Sequence, residues 1–367
     1  MSEMNCDVAI IGAGTAGLAA ERAARKSGAK TLLLDDSFTG ARPSVPKAFE
    51  GFGGLVLTNE TVFELPTLPK SIAVIGAGPL GLELAQAFAR LGADTEVFEQ
   101  SNRVAGLRDS DVAKELKSVL RAEIRMHFGV KLDVAREGSL ARISWCGAPS
   151  GTKLFESVLV AAGRPPDLHD LNLAAAGVAV DRRGVPKINE TTLQCGDAPI
   201  FLAGDADGKR PVLHEAAFEG FIAGRNAAAY PEVRPRKRAV PLSIMFTDPP
   251  LAVIGAPVSD AMVVGTASFA DQGRAKVDGC NIGLVRIYAD RDSCKVMGAA
   301  LFGPAMDHVA HLIAWSIERG ETAAGILQMP FYHPTFEEGL KPALRQICEA
   351  VEVPELDLLD EVAPAGA

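Results

Sequence analysis

Two glycine-rich turns of one design stand close together in this chain and restrict what it can fold into. The first, Gly12-Ala13-Gly14-Thr15-Ala16-Gly17, follows the apolar run Val8-Ala9-Ile10-Ile11. The second, Gly76-Ala77-Gly78-Pro79-Leu80-Gly81, follows Ile72-Ala73-Val74-Ile75. Each predicts a strand, a tight turn and a helix, with glycine wherever a side chain would bar a pyrophosphate from the backbone N–H groups at the helix start. In both, an acid closes the next strand 23 residues after the first glycine: Asp35 after Thr31-Leu32-Leu33-Leu34, and Glu99 after Thr95-Glu96-Val97-Phe98. Such an acid accepts hydrogen bonds from adenosine ribose hydroxyls. One such turn alone is weak, because glycine marks many strand-to-helix turns. Two complete units, each with its acid, predict a chain built for two dinucleotides. Glu99 suits a free ribose 2′-hydroxyl and repels a 2′-phosphate, with Arg103 near enough in sequence to oppose that preference.

Other function classes are excluded by composition. A length of 367 residues with 48% apolar content predicts two or three domains. The net charge is −9 and the basic residues are scattered, apart from Arg234-Pro235-Arg236-Lys237-Arg238. Nucleic-acid binding is not expected, and that run reads as a solvated connection between domains. No apolar stretch reaches the roughly 18 residues of a membrane span, and the N-terminus does not resemble a signal peptide, so a cytoplasmic protein is expected. The six cysteines, at 6, 146, 195, 280, 294 and 348, include no C-x-x-C pair and no clustering with histidine. They read as reduced, mostly buried thiols, with no metal site.

Along the chain, small residues Ala19, Ala20, Ala23 and Ala24 mark a helix face that packs closely on a sheet. A charged amphipathic helix is predicted from Asp109 to about Glu123, and a strand over 157–162 stops at Gly163-Arg164-Pro165-Pro166. A further apolar strand over 200–203 runs into Gly204-Asp205, followed by a helix over about 215–229. Beyond the basic run the texture becomes α+β, with strands at 242–246, 251–254, 284–288 and 296–301, a helix near 308–319 and a last helix to about 350. An acidic tail over 351–367 is expected to be mobile.

In this order the motifs resemble those of the pyridine nucleotide-disulfide oxidoreductases, most closely the dihydrolipoyl dehydrogenase branch. The resemblance implies an α/β architecture of two Rossmann-like dinucleotide-binding domains, an FAD domain (1–46 and 163–235) interrupted by an NAD domain (47–162). A C-terminal α+β dimerisation domain (239–350) completes a homodimer. By the resemblance, Gly12, Gly14, Gly17 and Asp35 hold FAD, Thr39-Gly40-Ala41-Arg42-Pro43 leads into the NAD domain, and Gly76, Gly78, Gly81 and Glu99 hold NAD. Ala162-Gly163-Arg164-Pro165 marks the return to the FAD domain, and Asp205 reaches the ribityl and phosphate portion of FAD. His333-Pro334-Thr335-Phe336-Glu337-Glu338 is similar to H-P-T-x-x-E, whose histidine, here His333, is the acid/base for the thiol substrate and is held by the acid, here Glu338.

One element of the family pattern is missing. Its redox disulfide, two cysteines separated by four residues after the first strand-helix-strand unit, has no counterpart, and Asp35 is joined almost directly to Thr39-Gly40. Without that pair the relay to a dithiol has no nucleophile. Glu83, whose counterpart pairs with a lysine just after the disulfide, would stand without its partner. Two readings follow: an FAD- and NADH-linked oxidoreductase passing electrons to a small-molecule acceptor other than a disulfide, or an inactive deletion homologue that binds nucleotide or dimerises. Substitution of the lost pair by Cys6 and Cys195 is a third.

Overall fold

The computed structural model describes residues 5–34, 40–147 and 149–352, and the chain divides into two compact units. One comprises Met1–Ser44 with Gly163–Arg238, and the other Val45–Ala162 with Ala239–Ala367.

In the first unit, strand β1 (Val8–Ile11), helix α1 (Thr15–Lys26) and strand β2 (Thr31–Leu34) form the predicted strand-turn-helix-strand, with β1 and β2 parallel. Val8 and Ile10 face the core with Ala24, while Ile11 and Leu34 remain exposed. The alanine face of α1 packs on a helix as well as on the sheet. Gly220 and Gly224, one turn apart in the helix Leu213–Ala229, lie so near α1 that a Cβ at either would fall 2.0 and 2.1 Å from the carbonyl oxygens of Ala16 and Ala20. Two helices meeting through backbone in this way require glycine. The strand predicted over 200–203 is reduced to a bridge between Phe201 and Gln194, so the β1–β2 sheet holds two strands among the described residues. Gly40–Ala41 pairs antiparallel with Pro166–Asp167, joining the two chain crossings of this unit.

The second unit contains a five-stranded parallel sheet in the order Val56–Leu57, Ser157–Val160, Ser71–Ile75, Asp94–Glu99, Arg125–Phe128. Ile72, Ala73 and Val74 are fully buried, as expected of a central parallel strand covered on both faces. Helix α2 (Pro79–Arg90) follows the second glycine turn. Helix α3 (Ser110–Leu120) is capped by Asp109, whose carboxylate accepts from the N–H groups of Asp111 and Val112 at 3.0 Å each. An antiparallel sheet of Lys131–Glu137, Leu140–Cys146 and Gly151–Phe155 adjoins it in sequence.

The C-terminal part is α+β, as predicted, with an antiparallel sheet ordered Leu242–Met245, Leu251–Gly255, Val296–Phe302, Leu284–Asp290, Met262–Ser268. Helices Met306–Arg319 and Lys341–Ala350 bury Ile313, Leu344 and Ile347 against it. It shares a core with the parallel-sheet region through Leu82, Val112, Met245, Tyr288 and Phe302. Polar contacts reinforce that seam: the Asp109 carboxylate also accepts from Tyr288 Oη at 2.8 Å and Arg286 Nε at 2.9 Å.

Candidate functional site

Each glycine of the second turn does a different job. Gly76 has φ +110°, and a Cβ there would fall 2.5 Å from the Ala161 carbonyl oxygen; one at Gly81 would fall 2.3 Å from the carbonyl oxygen of Gly76. Between them a Cβ at Gly78 would meet nothing within 4 Å, so this position faces open space at the start of α2. Gly78 is the N-cap of α2 and supplies no side-chain cap, leaving the first N–H groups and the positive helix end directed at that space. Glu99 is braced beside it, accepting from Ala77 N at 3.0 Å and Ser101 N at 2.8 Å. Two bound N–H groups leave carboxylate lone pairs for ribose hydroxyls. The open cradle, uncapped helix and braced acid fit the diphosphate and ribose of a nicotinamide dinucleotide.

The first turn repeats this design. Gly12 has φ +93°, a Cβ at Gly17 would fall 1.8 Å from the Gly12 carbonyl oxygen, and Gly14, the uncapped N-cap of α1, faces open space. Asp35 and Thr39 lie outside the described residues. Gly204 has φ +74° and lies against Ala16, where a Cβ would come within 3.0 Å of the alanine side chain, so the Asp205 turn is seated against the first turn of α1. Asp205 is 3.7 Å from Arg164. Gly163 has φ +116°, and its carbonyl accepts from Ser44 N at 2.9 Å, which ties together the two strands that cross into this unit. The geometry fits the diphosphate end of FAD.

A buried charged cluster supports this turn and was not anticipated from the sequence. Glu219, fully buried, accepts from Gly204 N at 2.6 Å and pairs with Arg238, which also donates to Glu215 at 3.0 Å. The Arg238 side chain is 7% exposed, so the basic run over 234–238 is not simply a solvated connection: its last side chain is turned inward. Arg210 donates to the other oxygen of Glu215 at 2.9 Å. Asp207 Oδ2 and Arg238 Nε are buried without hydrogen-bond partners among the described residues. Burial, and next to it the Asp207 charge, push the Glu219 carboxyl up to about 7. Burial also raises Asp207. Three acids against two arginines leave one negative charge in excess, which a retained proton removes.

A proton held more tightly by the folded chain stabilises it at low pH, and that stabilisation is lost as pH rises through about 7. Between about pH 5.5 and about pH 8 this group should therefore cost on the order of 2 kcal/mol, and Glu219→Gln should flatten that slope. Urea unfolding of both proteins across the range measures it; parallel curves would remove Glu219 as the titrating group.

In the second unit, His333 is half-exposed and its Nδ1 lies 3.1 Å from both oxygens of Glu338, with no partner for Nε2 among the described residues. The acid thus fixes the ring and leaves Nε2 outward, an arrangement suited to proton transfer. Glu83 has found a partner: its Oε1 accepts from Phe246 N at 2.7 Å. On the same face of α2, Gln86 exchanges hydrogen bonds with the backbone of Asp248 at 2.7 and 2.8 Å, and Arg90 pairs with its carboxylate at 2.8 Å. The 246–248 stretch is thus clamped to the nucleotide helix, a role the sequence reading did not assign to it. All six cysteines are free thiols. Burial pushes Cys195 up to about 11, opposite to what a nucleophile needs, and this argues against its substituting for the lost pair. Among the described residues no group of histidine, cysteine and acid side chains could hold a metal, and no helix is long and apolar enough to cross a membrane.

Comparison with known proteins agrees with these motifs. Residues 38–220 match the pyridine nucleotide-disulphide oxidoreductase family and residues 241–344 its dimerisation domain, which indicates a homodimer. Dihydrolipoyl dehydrogenase of Haloferax volcanii is 31% identical over 318 residues, covering 83% of this chain and 66% of that protein. Dihydrolipoyl dehydrogenase 2 of Haloarcula marismortui is 31% identical over 332 residues, covering 86% and 69%. The chain thus spans about two thirds of the length of these relatives. Among solved structures, LpdA from Mycobacterium tuberculosis superposes with a TM-score of 0.74 at 23% identity, covering 86% of this chain and 69% of that one. The flavoprotein disulfide reductase RclA from Escherichia coli, as its Cu(II) complex, gives 0.77 at 17% identity, covering 93% and 99%. The family and these dehydrogenases are flavin-dependent oxidoreductases that use FAD and NAD(H). By its paired glycine turns, its dimerisation region and these relatives, the chain belongs to the pyridine nucleotide-disulphide oxidoreductase family.

Proposed function

We propose that the protein is an FAD-dependent, NADH-linked oxidoreductase of the dihydrolipoyl dehydrogenase type that delivers electrons to a small-molecule acceptor other than a disulfide, such as a quinone or dye. The observation that carries this reading is the duplicated cradle: Gly14 and Gly78 both face open space at an uncapped helix start, each between two glycines of a tight turn. Gly76, Gly78 and Gly81 with Glu99 bind NADH, the acid receiving the free ribose. Gly12, Gly14 and Gly17 with Asp35 and Asp205 bind FAD, and Gly163 sets the chain crossing beside them. FAD, when bound, supplies the hydride acceptor. His333, fixed by Glu338, can hold or release a proton at Nε2, but with no cysteine pair spaced by four residues the chain has no thiolate for it to serve. Glu83 positions the 246–248 stretch against α2.

A second reading, a nucleotide-binding or dimerising protein without flavin chemistry, is favoured by the β1–β2 sheet, which holds two strands among the described residues, since a pair of strands is a marginal platform. The visible spectrum of the purified protein, before and after anaerobic NADH, separates the two. The proposed function requires flavin bands that bleach. A colourless protein that still binds NADH would support the second reading.

A further inference from the structure

We infer that the first unit carries a second anion site, distinct from its dinucleotide cradle, which takes a small organic polyanion bearing phosphate or carboxylate groups. A cleft of about 410 Å³ opens at the C-terminal ends of α1 and the helix Leu213–Ala229, lined by Ser27, Phe221, Arg225, Asn226, Arg234 and Arg236 among others. It lies at the opposite end of α1 from the Gly12–Gly17 turn, about 18 Å away at the helical rise per residue. The volume suits a small molecule.

The three arginines are brought together by specific contacts. Asn226, 4% exposed, donates to the Thr192 and Arg234 carbonyls at 3.0 and 3.2 Å and accepts from Arg234 N at 3.0 Å. Arg236 N donates to the Thr191 carbonyl at 2.9 Å. These bonds fold the segment after the helix back over its end, so that Arg234 and Arg236 join Arg225 around one opening. Phe221 sets two of the guanidinium groups: Arg225 lies 5.6 Å and Arg236 5.3 Å from its ring centre. None of the three forms an ion pair among the described residues, and no acidic side chain lines the cleft. Three forked donors without a carboxylate make a site for an oxyanion, which two or more guanidinium groups can hold together.

Calorimetric titration of the full chain with tripolyphosphate and, separately, with citrate distinguishes a phosphate from a carboxylate ligand. Each titration is run with and without excess NADH and FAD. At least one of the two anions should bind once per chain, with an affinity unchanged by the dinucleotides and weakened about tenfold or more by Arg225→Gln or Arg236→Gln. Both side chains are exposed, and an unaltered melting temperature verifies that the variants fold. Binding of neither anion, displacement by NADH or FAD, or equal binding by the Arg225→Gln/Arg236→Gln double variant would overturn the assignment.

Discussion

Arg238→Met should lower the stability of the first unit by about 3–5 kcal/mol, the largest loss expected from one side chain here. The arginine is nearly buried between Glu215 and Glu219, which are 2% and 0% exposed, and its removal leaves both carboxylates in the interior, with Glu215 still paired to Arg210. Two buried acids without their cation must take up protons or draw in water, and either displaces Glu219 from Gly204 N, the contact that holds the Asp205 turn. The loss should therefore appear in urea unfolding and, if the protein carries flavin, in weaker retention of it. Removing a whole buried ionic group is often near neutral, because the desolvation cost disappears with the attraction. Arg238→Met combined with Glu215→Gln and Glu219→Gln should accordingly recover most of the stability. A single variant as stable as the parent would mean that solvent already reaches the cluster.

That cluster also marks what could be read from the sequence and what could not. The glycine turns were legible because their constraint is local: Gly12 and Gly17, or Gly76 and Gly81, approach each other within one turn, and the spacing alone reports it. The helix start near Asp109 and the alternating C-terminal strands were legible for the same reason. Arg238 was not, because a run of basic residues looks solvated until the acids 19 and 23 positions earlier are folded against it. The strand Met262–Ser268, with Gly265 at its centre, was not anticipated. In the structure a Cβ there would fall 1.8 Å from the Ala343 carbonyl oxygen, so the glycine serves the close approach of the helix Lys341–Ala350. Glu83 was read as a carboxylate without the family's lysine, and its contact with a backbone N–H group at Phe246, far along the chain, was not foreseen. Tertiary partners of this kind leave no local trace.

Two of the three glycines of the nicotinamide turn, Gly81 and Gly78, should respond to the same small change in opposite ways. Gly81→Ala places a Cβ 2.3 Å from the Gly76 carbonyl oxygen and 3.2 Å from Ala161 Cβ, so α2 must move away from the sheet. Backbone cannot yield as a flexible side chain does, and the variant should melt lower and lose NADH binding together. Gly78→Ala meets nothing within 4 Å, and Gly78 has an extended φ of −75° that alanine adopts without strain. Its fold and melting temperature should be unchanged, while its methyl group occupies the space where a pyrophosphate approaches the N–H groups of α2. Loss of that approach should weaken NADH about 10- to 100-fold, measured by quenching of protein fluorescence or by calorimetry. The contrast separates a ligand role from a packing role within one turn of six residues. If Gly78→Ala binds NADH like the parent, the open face of this cradle does not hold the diphosphate, and the dinucleotide assignment of the second unit fails with it.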